Sequence, residues 1–266
     1  MGEQAVPVRK VPSKDGTPIA FEQSGDGPPV ILVGSAFHDR SGTAPLAAAL
    51  AARCTVLNYD RRGRGDSGDT APYAVAREVE DLQALIVQAG GAAAVFGHSS
   101  GATLALHAAA HGLAITKLAL YEPPFLVDDS RLRPPADLPG QLAELIAAGR
   151  RGDAVELYQT KYVGMPQDVV AQLRHAPFRP ALEAIAHTLV YDATIIGDLT
   201  LPTELVAKVA TPTLVIDGEN SMPMLRTAAR VLAEVLPNGR PCTLAGQTHD
   251  ISPQATAPVL LDFLSS

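Results

Sequence analysis

The sequence contains no tryptophan, two cysteines and few aromatic side chains, which make up 5% of its 266 residues. Cys54 and Cys242 match no metal-binding or redox spacing. Since each lies in a strand-like segment, we expect buried free thiols, with a disulfide as the less favoured alternative. Basic residues are also few: 21 Lys and Arg against 28 Asp and Glu give a net charge of −7. Nucleic acids and anionic membranes require a clustered basic surface, so we expect neither as a partner.

Long apolar segments are absent as well. No run is long enough to cross a bilayer, and residues 1–16 lack the apolar core of a signal peptide. We therefore expect a cytoplasmic protein. The chain is 47% hydrophobic and 18% charged, a composition typical of one large globular domain, or of one domain that carries an insertion.

Short apolar segments alternate with helical ones along most of the chain. Runs such as VILV and LAL are apolar on both faces, as expected for parallel strands covered by helices. The strand-like segments are 18–25, 29–34, 55–60, 93–97, 116–122, 212–218 and 240–246. The pattern predicts an α/β fold with a doubly wound, mostly parallel sheet.

This alternation stops between about 124 and 205, where the chain is helical and prolines divide it into short helices. We predict a core of residues 1–123 and 206–266 and a helical cap of residues 124–205, inserted after the sixth strand. Ligands bind at the carboxyl ends of strands in such sheets, so we expect the cap to be a lid over those ends. The alternative is a set of extra helices packed on one face.

The segment VFGHSSG, residues 95–101, places Ser99 between two glycines where an apolar strand ends and a helix begins. Such a turn holds the serine in a strained conformation and exposes its hydroxyl. The following N–H groups open a helix whose positive end favours an oxyanion. The pattern G-x-S-x-G is weak by itself, and a purely structural turn is the alternative. The strand before it and the helix after it favour a nucleophile.

With this turn, the segments YDRRGRGDSGD (59–69) and GQTHD (246–250) make the sequence resemble the α/β-hydrolases over essentially its whole length. The resemblance implies that Ser99 is the nucleophile and that His249, after the last strand, is the general base. Structural or solvent-exposed roles are expected for the other histidines His98, His107, His111, His175 and His187.

The resemblance also implies an oxyanion hole made of two backbone N–H groups. One comes from Ser100, and the other comes from the loop 34–40. We assign the loop donor to Ala36, with the neighbouring Ser35 as the alternative. No metal or organic cofactor is implied.

A serine–histidine pair needs a carboxylate that orients the imidazole. In most of the family this acid follows the penultimate strand, but the corresponding residue here is the neutral Ser221. Zearalenone-type lactonases carry their acid one strand earlier, and they also resemble this sequence in the Ser-Ser of the turn and in a glutamate before proline. We therefore assign the acid to Glu122, with Glu219 and Asp217 as alternatives. The alternative role for Glu122 is structural: its carboxylate would bind the free N–H groups in the first helical turn of residues 124–205.

These assignments imply a serine hydrolase, a monomer or homodimer, that cleaves an ester or lactone of a small, partly apolar metabolite. The alternatives are a lyase, cyclase or perhydrolase on the same scaffold, and a non-catalytic receptor for a small ligand. Six side chains are candidates for the substrate pocket, although each could instead pack the cap against the core: Phe37, His38, Phe125, Tyr158, Tyr162 and Tyr191.

Overall fold

The computed structural model of the protein describes residues 6–266; residues 1–5, which begin the segment judged to lack a signal peptide, lie outside the described residues. Eight strands in the described part form one sheet: β1 Val8–Pro12, β2 Pro18–Ser24, β3 Pro29–Val33, β4 Thr55–Tyr59, β5 Ala93–His98, β6 Ile115–Tyr121, β7 Thr213–Gly218 and β8 Gly239–Leu244. Their order across the sheet is β1-β2-β4-β3-β5-β6-β7-β8. The pairs β1–β2 and β2–β4 are antiparallel, and the remaining pairs are parallel.

Helices cover both faces of the sheet, because the inner strands are apolar on both sides. In β3, Ile31 and Val33 pack into one hydrophobic cluster, while Val30 and Leu32 pack into the other. This alternation follows from the two-residue period of a strand. The fold is therefore a doubly wound, mostly parallel α/β fold, as the sequence predicts.

The helices of the described part fall into two groups. Those that flank the sheet are α1 Ala44–Leu50, α2 Val75–Gln88, α3 Ser100–Ala110, and, later in the chain, α10 Pro223–Val235 and α11 Pro253–Ser265. Between β6 and β7 lie α4 Leu138–Ala147, α5 Arg151–Tyr158, α6 Gln167–Leu173, α7 Arg179–Ala184, α8 Leu189–Ile196 and α9 Thr203–Val206. No strand occurs between residues 122 and 212, so the sheet resumes only after this helical insertion.

The first strand, Val8–Pro12, is the main element that the sequence pattern does not predict. It lies at the edge of the sheet, and most of its residues are exposed. An exposed edge strand lacks the apolar run that marks the inner strands. Its own sequence therefore does not show that it pairs with β2.

Both cysteines are free thiols, but they differ in burial: Cys54 is buried, whereas Cys242 is half-buried. The expectation of a buried thiol is therefore wrong for Cys242, which lies in the edge strand β8. Across residues 6–266, the helices fall short of the length and apolar content that a membrane span requires.

Candidate active site

Ser99 lies at the turn between β5 and α3, with a φ of 55° that few residues other than glycine adopt. Its N–H donates to the carbonyl oxygen of Tyr121 at 2.9 Å, which ties the turn to β6. A Cβ at Gly97 would lie 2.5 Å from the Gly101 oxygen, and a Cβ at Gly101 would lie 2.5 Å from the Gly34 oxygen. Both glycines are therefore needed for the close packing of strand, turn and helix.

Glu122 directly follows β6, is fully buried and also has a positive φ, 47°. Its N–H donates to the Ile216 oxygen at 2.9 Å, and its Oε1 accepts the N–H of Gly218 at 2.7 Å. Its other oxygen, Oε2, lies 2.5 Å from Nδ1 of His249. An ionised carboxylate only accepts hydrogen bonds, so Nδ1–H is the donor and the ring nitrogen left to act as an acceptor is Nε2.

The loop that holds His249 is fixed by hydrogen bonds to its carbonyl groups. The Tyr121 hydroxyl donates to the Thr248 oxygen at 2.7 Å. Nε2 of His98 bonds to the His249 oxygen at 2.9 Å. Burial, together with the nearby His249, lowers the pKa of His98 well below its usual value, so this ring is a neutral donor. His98 therefore supports the loop, in agreement with the structural role expected for it.

The alternative acids bond to other groups. Asp217 accepts the Thr243 hydroxyl at 2.8 Å, and Glu219 accepts the N–H of Gly246 at 2.8 Å. Ser221 is buried, and its hydroxyl has no hydrogen-bond partner in the described part of the chain. Among residues 6–266, the carboxylate that bonds to the imidazole is thus the one that follows β6.

The expected oxyanion donors, Ala36 and Ser100, belong to two different segments of the chain. Ala36 belongs to the loop after β3, and Ser100 is the first residue of α3. Within residues 6–266, neither N–H donates to a protein acceptor, which leaves both free for a ligand oxygen. Free N–H groups at a helix start are suited to bind negative charge.

Buried arginines from the turn 59–69 connect the loop that contains Ala36 to the helical insertion. Arg64 donates to the Ser35 carbonyl oxygen at 2.6 Å and to Asp192 of α8 at 2.6 Å. Arg61 donates to the other oxygen of Asp192 at 2.7 Å and forms a two-bond pair with Glu78. Burial alone would raise the pKa of Asp192, but Arg64 and Arg61 hold it below its usual value. The sequence pattern does not predict these buried ion pairs, although three arginines within the four residues RRGR could have indicated a charged cluster.

Ser99 and His249 line one cavity of about 280 Å³. Within the described residues, no hydrogen bond joins Ser99 Oγ to His249 Nε2; such catalytic contacts often tighten only when a substrate binds. Four of the expected pocket side chains lie in the same wall: Phe37, His38, Tyr158 and Tyr162. The rings of Phe37 and Tyr158 meet edge to face, with their centroids 5.3 Å apart.

The expectation that Phe125 and Tyr191 line this pocket is wrong. Phe125 is buried in the hydrophobic core just after β6. Tyr191 stacks on Tyr73 at 3.9 Å and donates to Asp69 at 2.7 Å, so it packs the insertion against the core. An aromatic side chain could line an apolar pocket in both cases. Whether it points into the cavity or into the protein core depends on tertiary packing, which the sequence does not show.

Much of the wall is apolar and was not predicted. It includes three of the four methionines, Met165, Met222 and Met224, and the branched residues Leu173, Ile196, Leu199 and Leu225. Methionine side chains adapt to irregular ligands. Residues 6–266 contain no group of three or more His, Cys, Asp or Glu side chains arranged to hold a metal ion.

The pattern of the alpha/beta hydrolase family matches residues 25–260. The chain belongs to this family, and the expectation of a hydrolase enzyme is confirmed at that level. A solved alpha/beta hydrolase from Sphaerobacter thermophilus DSM 20745 is 58% identical to the chain, with a TM-score of 0.91. The match covers 96% of this chain and 100% of that one.

Two more distant structures share the fold. A thermophilic esterase from Thermogutta terrifontis is 21% identical, with a TM-score of 0.73, over 97% of this chain and 98% of that one. An enol-lactonase from Burkholderia xenovorans LB400 is 24% identical, with a TM-score of 0.71, over 98% of this chain and 100% of that one. At these identities, the similarity concerns the fold.

Proposed function

We propose that this protein is a serine hydrolase that cleaves a carboxylic ester or lactone of a small, partly apolar metabolite. The observation that supports this most strongly is the hydrogen bond from His249 Nδ1 to Glu122, beside a cavity that both His249 and Ser99 line. A buried carboxylate on Nδ1 selects the tautomer with a free Nε2 and stabilises the imidazolium that forms during acyl transfer.

In the proposed acylation step, Nε2 of His249 takes the proton of Ser99 as Oγ attacks the carbonyl carbon. The carbonyl oxygen becomes an oxyanion, which accepts hydrogen bonds from the backbone N–H groups of Ala36 and Ser100. The tetrahedral intermediate then expels the alcohol oxygen, which takes the proton from His249. An acyl-enzyme remains on Ser99, and in a lactone the released alcohol stays attached to the acyl group.

Deacylation repeats the same steps with water as the nucleophile. His249 removes a proton from water, the hydroxide oxygen bonds to the acyl carbon, and the bond to Ser99 Oγ breaks. The serine regains its proton from His249, so the enzyme returns to its initial state. Glu122 keeps its negative charge throughout and orients the imidazole.

We further propose that residues 124–205 act as a cap over the core of residues 1–123 and 206–266. The support is that the insertion supplies Tyr158, Tyr162 and several apolar side chains to the wall of the cavity that contains Ser99. An apolar wall with adaptable methionines suits a compact substrate with a hydrocarbon body. Similarity in fold to an esterase and an enol-lactonase is consistent with this substrate class.

A serine-directed fluorophosphonate tests the mechanism. We expect one phosphonyl adduct, located on Ser99 by peptide mass spectrometry, and turnover of p-nitrophenyl esters. Ser99→Ala should remove both signals without lowering the melting temperature. Ester turnover in purified Ser99→Ala above a few per cent of the wild-type rate would contradict the covalent mechanism. Labelling of Ser99 without turnover of any ester or lactone would favour the lyase or receptor alternatives.

A further inference from the structure

A polar side chain that the proposed mechanism does not use lies in the wall of the same cavity. Gln159 is 5% exposed, and its Oε1 is buried without a hydrogen-bond partner in the described part of the chain. Gln159 is one of the residues that line the cavity that contains Ser99. A buried amide without a partner is unfavourable, so it is rare in native proteins unless a ligand or water satisfies it.

The local backbone holds Gln159 at this position. Here α5 continues into one turn of π-helix, Gln159–Val163, and the backbone oxygen of Gln159 accepts the N–H of Met165 at 3.0 Å. The main chain of this residue is therefore engaged, while its side-chain amide is not. Single π-helical turns are frequent at functional sites.

The remaining wall contributed by the insertion offers a ligand little polarity. The hydroxyl of Tyr162 already donates to the Gly197 oxygen at 3.0 Å. Gln159 carries the one amide among the described wall residues of the insertion, and no charged side chain accompanies it there. Tyr158 adds one hydroxyl to this part of the wall, and its other side chains are apolar: Pro124, Val163, Met165, Leu173, Ile196 and Leu199.

We propose that Gln159 is a specificity residue, whose amide hydrogen-bonds a hydroxyl or oxo group on the substrate, away from the scissile ester. The proposal rests on the proposed esterase or lactonase function. A carboxamide both donates and accepts, so it can satisfy either group. A purely hydrocarbon substrate would leave the amide unpaired. The substrate class is thus an ester or lactone with an apolar body and one further neutral oxygen function.

The test compares p-nitrophenyl hexanoate with derivatives that carry an oxo group at the fourth or fifth carbon, or a terminal hydroxyl. We expect the wild-type enzyme to prefer at least one derivative in kcat/KM. Gln159→Leu, which has a similar shape, should lower kcat/KM for that derivative by about tenfold or more, mainly through KM. Its kcat/KM for unsubstituted hexanoate should rise, because leucine removes an amide that a hydrocarbon chain leaves unpaired. Gln172→Leu, at an exposed position of α6, is the matched control and should keep the wild-type preference.

Two results would overturn the role of Gln159: a wild-type enzyme that prefers none of the derivatives, or an unchanged preference in Gln159→Leu. Failure of the wild-type enzyme to cleave any ester would instead count against the proposed function. In that case, titration calorimetry tests the role of Gln159 by measuring binding affinities. The ligands are methyl ketones with the same acyl chains as the esters, which cannot be hydrolysed. Ser99→Ala should bind the oxygenated ketone more tightly than the plain one, and adding Gln159→Leu should remove the difference. Equal affinities in both variants would reject the proposal.

Discussion

Nδ1 of His249 lies 2.5 Å from Oε2 of Glu122, and the other oxygen of this carboxylate accepts the N–H of Gly218 at 2.7 Å. The carboxylate therefore comes from the end of β6, while the end of β7 supplies a backbone donor that holds it. In most of the family the acid itself follows the strand that corresponds to β7. Here that place is taken by Ser221, and the carboxylate reaches the imidazole from the neighbouring strand.

Removal of the Asp192 carboxylate should destabilise the protein strongly. This side chain is fully buried and forms ion pairs with both Arg61 and Arg64. Asp192→Ala leaves uncompensated buried positive charge, so we expect a loss of about 3–5 kcal/mol in the free energy of unfolding. Urea denaturation measures this loss. The control is Asp153→Asn, at a half-exposed pair with Arg150, which should cost at most about 1 kcal/mol. Equal losses in the two variants would show that the buried network is not stabilising.

Two helical glycines should respond in opposite ways to the same substitution. In Gly101→Ala, the new methyl group would lie 2.5 Å from the Gly34 oxygen, so the start of α3 must shift. We expect a loss of about 1–3 kcal/mol and a lower kcat, because the Ser100 N–H moves with that helix. In Gly140→Ala, the methyl group meets no atom within 4 Å, and better helix propensity should raise the melting temperature. A wild-type kcat in Gly101→Ala would contradict the role given to this turn.

The buried ring of His98 should make the native state sensitive to acid. Its pKa is lowered well below its usual value by burial and by His249. Below pH about 6.5 the unfolded chain takes up a proton at this residue and the native state does not, so the free energy of unfolding falls with pH. His98→Gln keeps a donor for the His249 oxygen but removes the titration. Between about pH 7 and pH 5, the free energy of unfolding of this variant should therefore fall less steeply than that of the wild type. The two slopes should differ by up to about 1.4 kcal/mol per pH unit. Parallel stability curves would show that residue 98 is charged in the native state.

Local sequence patterns were sufficient for the flanking helices, the Ser99 turn and the described strands other than β1. Gly97 and Gly101 stand at fixed offsets from Ser99, and the apolar strand before them and the helix after them are continuous in the sequence. The choice of Glu122 depended on a family resemblance. Nothing within LALYEPPF itself shows that Gly218, from a strand almost a hundred residues later, donates to this carboxylate.

Contacts between distant segments could not be read from the sequence. Arg64 and Asp192 are 128 residues apart, and no pattern in either segment indicates that the two side chains form an ion pair. The same limit explains the pocket residues. Tyr158 and Tyr191 are both tyrosines of the insertion, yet Tyr158 lines the cavity and Tyr191 stacks on Tyr73, because their helices present different faces to the core.

The central claim is that Glu122 is the acid that orients His249, and the kcat of Glu122→Gln on a p-nitrophenyl ester tests it most directly. Gln can still accept the N–H of Gly218, but its amide would donate to Nδ1 and force the unproductive tautomer of the imidazole. We predict a loss in kcat of about a thousandfold or more, with the wild-type melting temperature retained. Glu219→Gln and Asp217→Asn, whose carboxylates bond elsewhere, should keep most of the wild-type kcat. A wild-type kcat in Glu122→Gln, together with a large loss in either control, would contradict the assignment.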